Sequence, residues 1–166
     1  MSERQFSVIG CQHAHIGIFI SEMLEMGYSC AGIYEEEQNG LSRALSAKYG
    51  IPLTRDKEAL LGDSVVVVGC AAVNDEKIDV IELCESRGKH VMVDKPAAVN
   101  ADGLRRLQAV VRRNGIQIGM LLTERFHPAI YTLKKQIERG ALGEIVTVGM
   151  RKPHRLDAAS RPAWFF

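Results

Sequence analysis

The order of apolar runs predicts an α/β fold with a doubly wound, mostly parallel sheet. Three observations carry this. Short β-rich runs alternate with longer stretches of helical period from Phe6 to about residue 120. Val65–Val68 is apolar without interruption, as parallel strands buried on both faces are. The first run ends at Gly10 directly before a helical stretch, and such a strand–turn–helix is where phosphate ligands meet α/β sheets.

Taken in order, Phe6–Ile9 reads as a strand. Ile16, Phe19, Ile20, Met23 and Leu24 recur at helical spacing until Gly27. Ser29–Tyr34 is the second strand. Leu41, Ala44, Leu45 and Tyr49 mark a helix stopped by Gly50 and Pro52. A short strand near Pro52–Thr54 and a helical turn near Glu58–Leu61 lead into Val65–Val68. The next helix begins with Ile78, Ile81, Leu83 and Cys84 and ends at Gly88. His90–Val93 is a strand broken by Asp94-Lys95-Pro96. Leu104, Leu107, Val110 and Val111 define a helix ending at Asn114-Gly115, and Ile116–Leu122 is a further strand. Beyond Leu122 the rhythm changes. A helix is expected over His127–Arg139, a turn at Gly140–Gly143 and a strand over Ile145–Met150. This divides the chain into residues 1–122, a nucleotide-binding domain, and 123–166, the beginning of an α+β domain. The closing Trp164-Phe165-Phe166 predicts that more chain follows, because three aromatics are costly to leave in water.

Composition narrows the function. The chain has 166 residues, 46% hydrophobic and 25% charged, the balance of a soluble globular protein. Its 21 Lys and Arg nearly match its 20 Asp and Glu, so no net charge recruits nucleic acid or an anionic membrane. No apolar run approaches the roughly 18 residues of a membrane span. With no signal-like N-terminal run, and with Cys11, Cys30, Cys70 and Cys84 lacking any C-x-x-C spacing, a cytoplasmic chain with free, buried thiols is expected.

The candidate site lies around the first turn, Gly10-Cys11-Gln12-His13-Ala14-His15-Ile16-Gly17. A full G-x-G-x-x-G would place glycine at 10, 12 and 15, and only Gly10 is present. Gly10 permits the tight turn, and the helix start beyond it offers N–H groups to a pyrophosphate. About twenty-five residues on, Glu35 closes the second strand, where a carboxylate can accept both ribose hydroxyls of NAD and repel the 2′-phosphate of NADP; the alternative is that Glu35, Glu36 and Glu37 are only a solvated acidic loop. His13 and His15 invite a metal, but two histidines with no Cys, Asp or Glu close in sequence are too few ligands for a closed zinc site. The expectation is no metal, with one histidine bonding phosphate or ribose and the other packed. Lys95 follows the fifth strand at its C-terminal end and could bond a substrate hydroxyl or take its proton. Its alternative is a surface lysine in a plain turn. Arg125 could orient a substrate or cap a strand end, and His127, before Pro128, could serve substrate or structure.

Together these pieces resemble the Gfo/Idh/MocA family of oxidoreductases, which includes glucose–fructose oxidoreductase and inositol 2-dehydrogenase. The resemblance rests on Gly88-Lys89-His90-Val91-Met92-Val93-Asp94-Lys95-Pro96, Arg125-Phe126-His127-Pro128, Gly140-Ala141-Leu142-Gly143-Glu144-Ile145 and Arg161-Pro162-Ala163-Trp164-Phe165-Phe166. It implies a Rossmann domain followed by a substrate domain. It also implies that Lys95 is the catalytic-site lysine, Glu35 the ribose-binding acid and Asn74 a cofactor-contacting asparagine, with Gly10, Gln12, His13, His15, Asp94 and Pro96 around the cofactor. Gln12 and His15 stand for two fingerprint glycines, Asp94 for the family's Glu, Lys77 for a common His and Leu122-Thr123 for a common Tyr-Asn. The family's downstream Asp and His lie beyond the residues present. The function implied is hydride transfer between NAD and a secondary hydroxyl of a sugar, cyclitol or polyol, in a homo-oligomer of the complete chain. The alternative is a dinucleotide sensor or scaffold that has lost turnover.

Overall fold

The computed structural model describes residues 4–37, 39–153, 158–160 and 163–165. Two compact units divide at Leu121/Leu122. In the first, β1 (Gln5–Cys11), β2 (Ser29–Tyr34), β3 (Leu53–Thr54), β4 (Val65–Ala71), β5 (His90–Asp94) and β6 (Ile118–Leu121) form one sheet in the order β3-β2-β1-β4-β5-β6. All its pairings are parallel. This is the doubly wound Rossmann order, with its switch point between β1 and β4.

Helices cover both faces. On one, Phe6, Val8 and Ile33 pack with Ile16, Phe19 and Ile20 of α1 (Ile16–Glu25) and Leu45 of α2 (Gly40–Tyr49). On the other, Val68, Cys70, Val91 and Val93 pack with Ile78 and Ile81 of α3 (Lys77–Ser86) and Val110 of α4 (Ala101–Arg113). Each such side chain buried from water contributes about 1.5–3 kcal/mol. Phe6 meets Phe19 edge-on with ring centres 5.5 Å apart. Asn39 anchors α2 twice: its carbonyl oxygen accepts from Ser42 N at 2.9 Å, and its amide donates to Cys11 O at 2.8 Å. That second bond ties the start of α2 to the end of β1.

In the second unit, a 3-10 turn at Thr123–Phe126 leads to α5 (Pro128–Glu138). Pro128 stands at its first position, where a missing N–H costs nothing, and His127 caps it. The strand expected over Ile145–Met150 does not form. Val146, Val148 and Met150 are exposed, and residues 145–150 carry no ladder, since a strand needs a partner edge and none among the described residues supplies one. Of the closing aromatic motif, Arg161, Pro162 and Phe166 lie outside the described residues.

Candidate functional site

The segments after β1, β2, β4 and β5 each bring polar side chains to the carboxyl edge of the first unit's sheet. Gly10 has φ of 87° and crosses Ala72 so closely that a Cβ there would lie 2.5 Å from the Ala72 Cβ. The chain then turns into α1. Ile16 N, Gly17 N and Ile18 N bond back to the carbonyls of His13, Ala14 and His15. The N–H groups of His13 and Ala14 take no hydrogen bond among the described residues, so they remain the donors for an anion at this helix start.

Glu35, the residue after β2, is only 5% exposed. Its two oxygens accept from Cys11 N and from the Gln12 side-chain amide, each at 2.5 Å. Gln12 thus clears the turn by folding back over the acid. The carboxylate expected to accept the ribose is buried and covered by the Gln12 side chain. Each of its oxygens retains a lone pair, so it can still accept a hydroxyl once the amide swings aside. Burial, with the Glu35 charge adding to it, pushes the Cys11 thiol up to about 12.

The sequence reading of the two histidines needs correction. Asp94, the last residue of β5 and 1% exposed, receives both. His15 Nδ1 lies 2.9 Å from one of its oxygens and His13 Nδ1 lies 3.2 Å from the other. The rings stand edge to face with centroids 4.2 Å apart. Neither ring is simply packed, and the carboxylate that the sequence argument found lacking is present. The ligand atoms of His13, His15 and Asp94 all lie within 4.8 Å of one another. Burial holds the His13 imidazole below its usual pKa, against the opposing pull of Asp94.

Lysines show a second departure. Lys95 is exposed, and its peptide bond to Pro96 is cis. The buried lysine of this edge is Lys77, at the first position of α3 and 1% exposed. Its ammonium donates to Asn74 Oδ1 at 2.9 Å and to the Lys95 carbonyl at 3.1 Å. Burial lowers its pKa, while the Asp94 charge works the other way. Asn74 therefore faces Lys77 and helps hold it beside the strand end.

A parallel sheet in this order, a glycine crossing and an acid closing β2 make a dinucleotide-binding framework. The sequence model of the Gfo/Idh/MocA family, described as an oxidoreductase family with an NAD-binding Rossmann fold, matches residues 5–122. The chain belongs to this family.

Among curated relatives, the Gfo/Idh/MocA chain is 30% identical over 109 residues to mouse trans-1,2-dihydrobenzene-1,2-diol dehydrogenase, covering 63% of the chain and 33% of the relative. It is 29% identical over 115 residues to inositol 2-dehydrogenase of Rhizobium meliloti, covering 68% and 34%. It thus spans about a third of the length of these relatives. Among solved structures, an oxidoreductase from Bacillus cereus superposes with a TM-score of 0.71 at 22% identity, covering 86% of this chain and 41% of that one. The WlbA dehydrogenase of Thermus thermophilus, solved with NAD and alpha-ketoglutarate, superposes at 0.67 with 16% identity, covering 82% and 47%. At these identities the likeness shows the fold.

Within this Gfo/Idh/MocA chain the structure gathers Cys11, Gln12 and Glu35 into one contact set beside Gly10, and His13, His15 and Asp94 into another. Arg125 and His127 belong to the second unit. Arg125 is exposed in the 3-10 turn, and His127 Nδ1 accepts from Ala129 N at 3.3 Å, which gives it a capping role. Lys77 is the residue whose burial at this edge sequence reasoning missed. Its position after Asn74 was visible, but no local pattern marks a lysine for burial.

Proposed function

We propose that the chain is the dinucleotide-binding part of an NAD-dependent oxidoreductase that moves a hydride between nicotinamide and a secondary hydroxyl of a sugar, cyclitol or related polyol. The observation that carries this is the buried Glu35 carboxylate lying directly beneath the Gly10 turn, bonded to its Cys11 N–H. That places a fixed negative charge where an adenosine ribose meets a Rossmann sheet, favouring a diol and opposing a 2′-phosphate. The residues fit the dinucleotide: the His13 and Ala14 N–H groups would hold its pyrophosphate, and Glu35 its ribose. Bound NAD would supply the hydride acceptor. Lys95, in its exposed position after β5, would donate a hydrogen bond to the reacting hydroxyl as ammonium and accept its proton only in the amine form. Asp94 and Asn74 would shape the pocket floor, with Lys77 held between Asn74 and the Lys95 carbonyl. Arg125 and His127 are the substrate-side candidates of the second unit. Names of two relatives, a dihydrodiol dehydrogenase and an inositol dehydrogenase, support a hydroxylated ring as substrate. The reading includes a cytoplasmic setting, in keeping with free cysteines, and a homo-oligomer of the complete protein.

The test is titration of the complete protein with NAD and NADP, followed by NAD reduction assays across cyclitols, sugars and cyclic diols, the 166-residue chain alone being expected to show no turnover. Tighter binding of NAD and turnover of one such class are expected. Preference for NADP would refute the role given to Glu35, since like charges in contact cost on the order of several kcal/mol. The Gln12 amide closing over Glu35 favours a second reading, a dinucleotide sensor without turnover. NAD binding with no hydride transfer to any member of these classes would select it.

A further inference from the structure

We propose that His13, His15 and Asp94 form a binding site for one divalent transition-metal ion, such as zinc, at the carboxyl edge of the sheet. The inference goes beyond the dinucleotide reading and does not depend on it: that reading rests on Glu35 and on backbone N–H groups, and although it shares His13 and Asp94, it asks nothing of either imidazole. Two imidazoles and one carboxylate are the donor set that holds first-row ions while leaving positions open.

The three donors already lie close enough together to share one ion, all within 4.8 Å of one another. Zinc bonds histidine nitrogen and carboxylate oxygen at about 2.0–2.2 Å, so two donors at right or tetrahedral angles on one ion sit about 2.8–3.6 Å apart. The observed separations from Asp94 are 2.9 Å to His15 Nδ1 and 3.2 Å to His13 Nδ1. Both rings present the same nitrogen to the same carboxylate, one to each oxygen. The elements are rigidly placed: Asp94 ends a central strand, His15 is the residue before α1, and His13 lies on the turn fixed by Gly10. The histidine side chains keep about a quarter of their surface exposed, which leaves an entry path and room for water or a ligand oxygen in the open positions.

Two like charges act on this cluster, and they set the expected affinity. Lys77 and Lys95 both bear on His13 electrostatically, and Lys77 also bears on Asp94. A buried ammonium so placed repels a dication. Binding should therefore be weaker than at a closed structural zinc site and should tighten when Lys77 loses its charge.

The experiment uses the whole purified protein, made without a metal-affinity tag and stripped with a chelator that is then removed. Zinc is titrated calorimetrically, and cobalt(II) is followed by its visible ligand-field bands. One equivalent per chain is expected, with no thiolate charge-transfer absorption. His13→Ala and His15→Ala should each weaken it at least about tenfold, as loss of one of three ligands requires. His90→Ala, at the opposite end of β5, should leave it unchanged. Lys77→Met should tighten it several-fold. Asp94 is left intact because its burial makes its replacement a risk to folding, whereas both histidines are partly exposed. Circular dichroism and thermal melts confirm that each variant is folded. Absence of stoichiometric binding, or binding indifferent to both histidine replacements, would overturn the site and leave the two imidazoles as hydrogen-bond partners of Asp94.

Discussion

Gly10 and Gly27 offer a matched pair for measuring what the crossing of β1 over Ala72 demands. Their φ angles are nearly equal, 87° and 84°. An alanine at either therefore meets the same left-handed backbone penalty of about 1–2 kcal/mol. Their surroundings differ completely. A Cβ at Gly27 finds nothing within 4 Å, whereas at Gly10 it lies 2.5 Å from Ala72 Cβ and 2.6 Å from Ala72 Cα and N. Carbon atoms in ordinary contact sit about 3.5–4.0 Å apart, so the two backbones would have to part by about 1 Å. Neither is the end of a flexible side chain, and overpacking of this kind costs about 1–3 kcal/mol. Gly27→Ala should thus lose about 1–2 kcal/mol and Gly10→Ala about 2–5 kcal/mol. Urea unfolding followed by circular dichroism reads the difference directly. With a slope of about 2 kcal/mol per molar, the Gly10→Ala midpoint should fall about 0.5–1.5 M further. Equal midpoints for the two variants would refute the claim that close approach, and not the φ angle alone, requires glycine at position 10.

Three further outcomes follow from the site. Lys95→Ala should lower kcat for the polyol substrate by about a hundred- to ten-thousand-fold, with NAD affinity changed by no more than a few-fold. Lys95→Arg should not restore it, because guanidinium keeps its proton, and wild-type turnover in Lys95→Ala would remove the lysine from the chemistry. Gln12→Gly should tighten NAD binding by uncovering Glu35, whereas Glu35→Ser should narrow the NAD over NADP preference and cost about 1–3 kcal/mol of stability, since the Cys11 N–H loses its acceptor. An unchanged cofactor preference in Glu35→Ser would contradict the ribose assignment. Finally, burial pushes the thiols of Cys11, Cys70 and Cys84 up to about 12 and that of Cys30 up to about 11. At pH 8 their thiolate fractions are about one in ten thousand and one in a thousand, so a disulfide reagent should label the native chain slowly and four thiols in denaturant. Fast labelling of a single native thiol, identified by mass spectrometry as Cys11, would show that the turn opens.

Much of the fold is local information written along the chain. The alternation of strand and helix periods, the unbroken Val65–Val68 run and the Gly and Asn stops specify a parallel sheet, because each is a property of neighbouring residues. The same is true of Gly10 and of Glu35 after β2, since the order of elements alone puts both at the carboxyl edge of the sheet. The Ile145–Met150 stretch marks the limit of that logic: its apolar pattern is strand-like, yet a strand exists only when another edge accepts its hydrogen bonds.

What pairs with what across the sheet edge was decided by tertiary structure. His15 and Asp94 stand 79 positions apart, and no spacing rule connects them. They meet because β1 and β5 flank β4 in the sheet, which brings the turn after one strand onto the last residue of another. The burial of Lys77 and the exposure of Lys95 have the same origin. Both are lysines at a strand's carboxyl edge, and only the packing of α3 against β4 and β5 determines which ammonium leaves water. Gln12 over Glu35 completes the set: the sequence alone specifies a carboxylate at the carboxyl end of β2, and the fold determines that the carboxylate is covered. Local periodicity is read from residues a few positions apart, whereas charge, burial and ligand geometry depend on atoms that come together only after the sheet has closed.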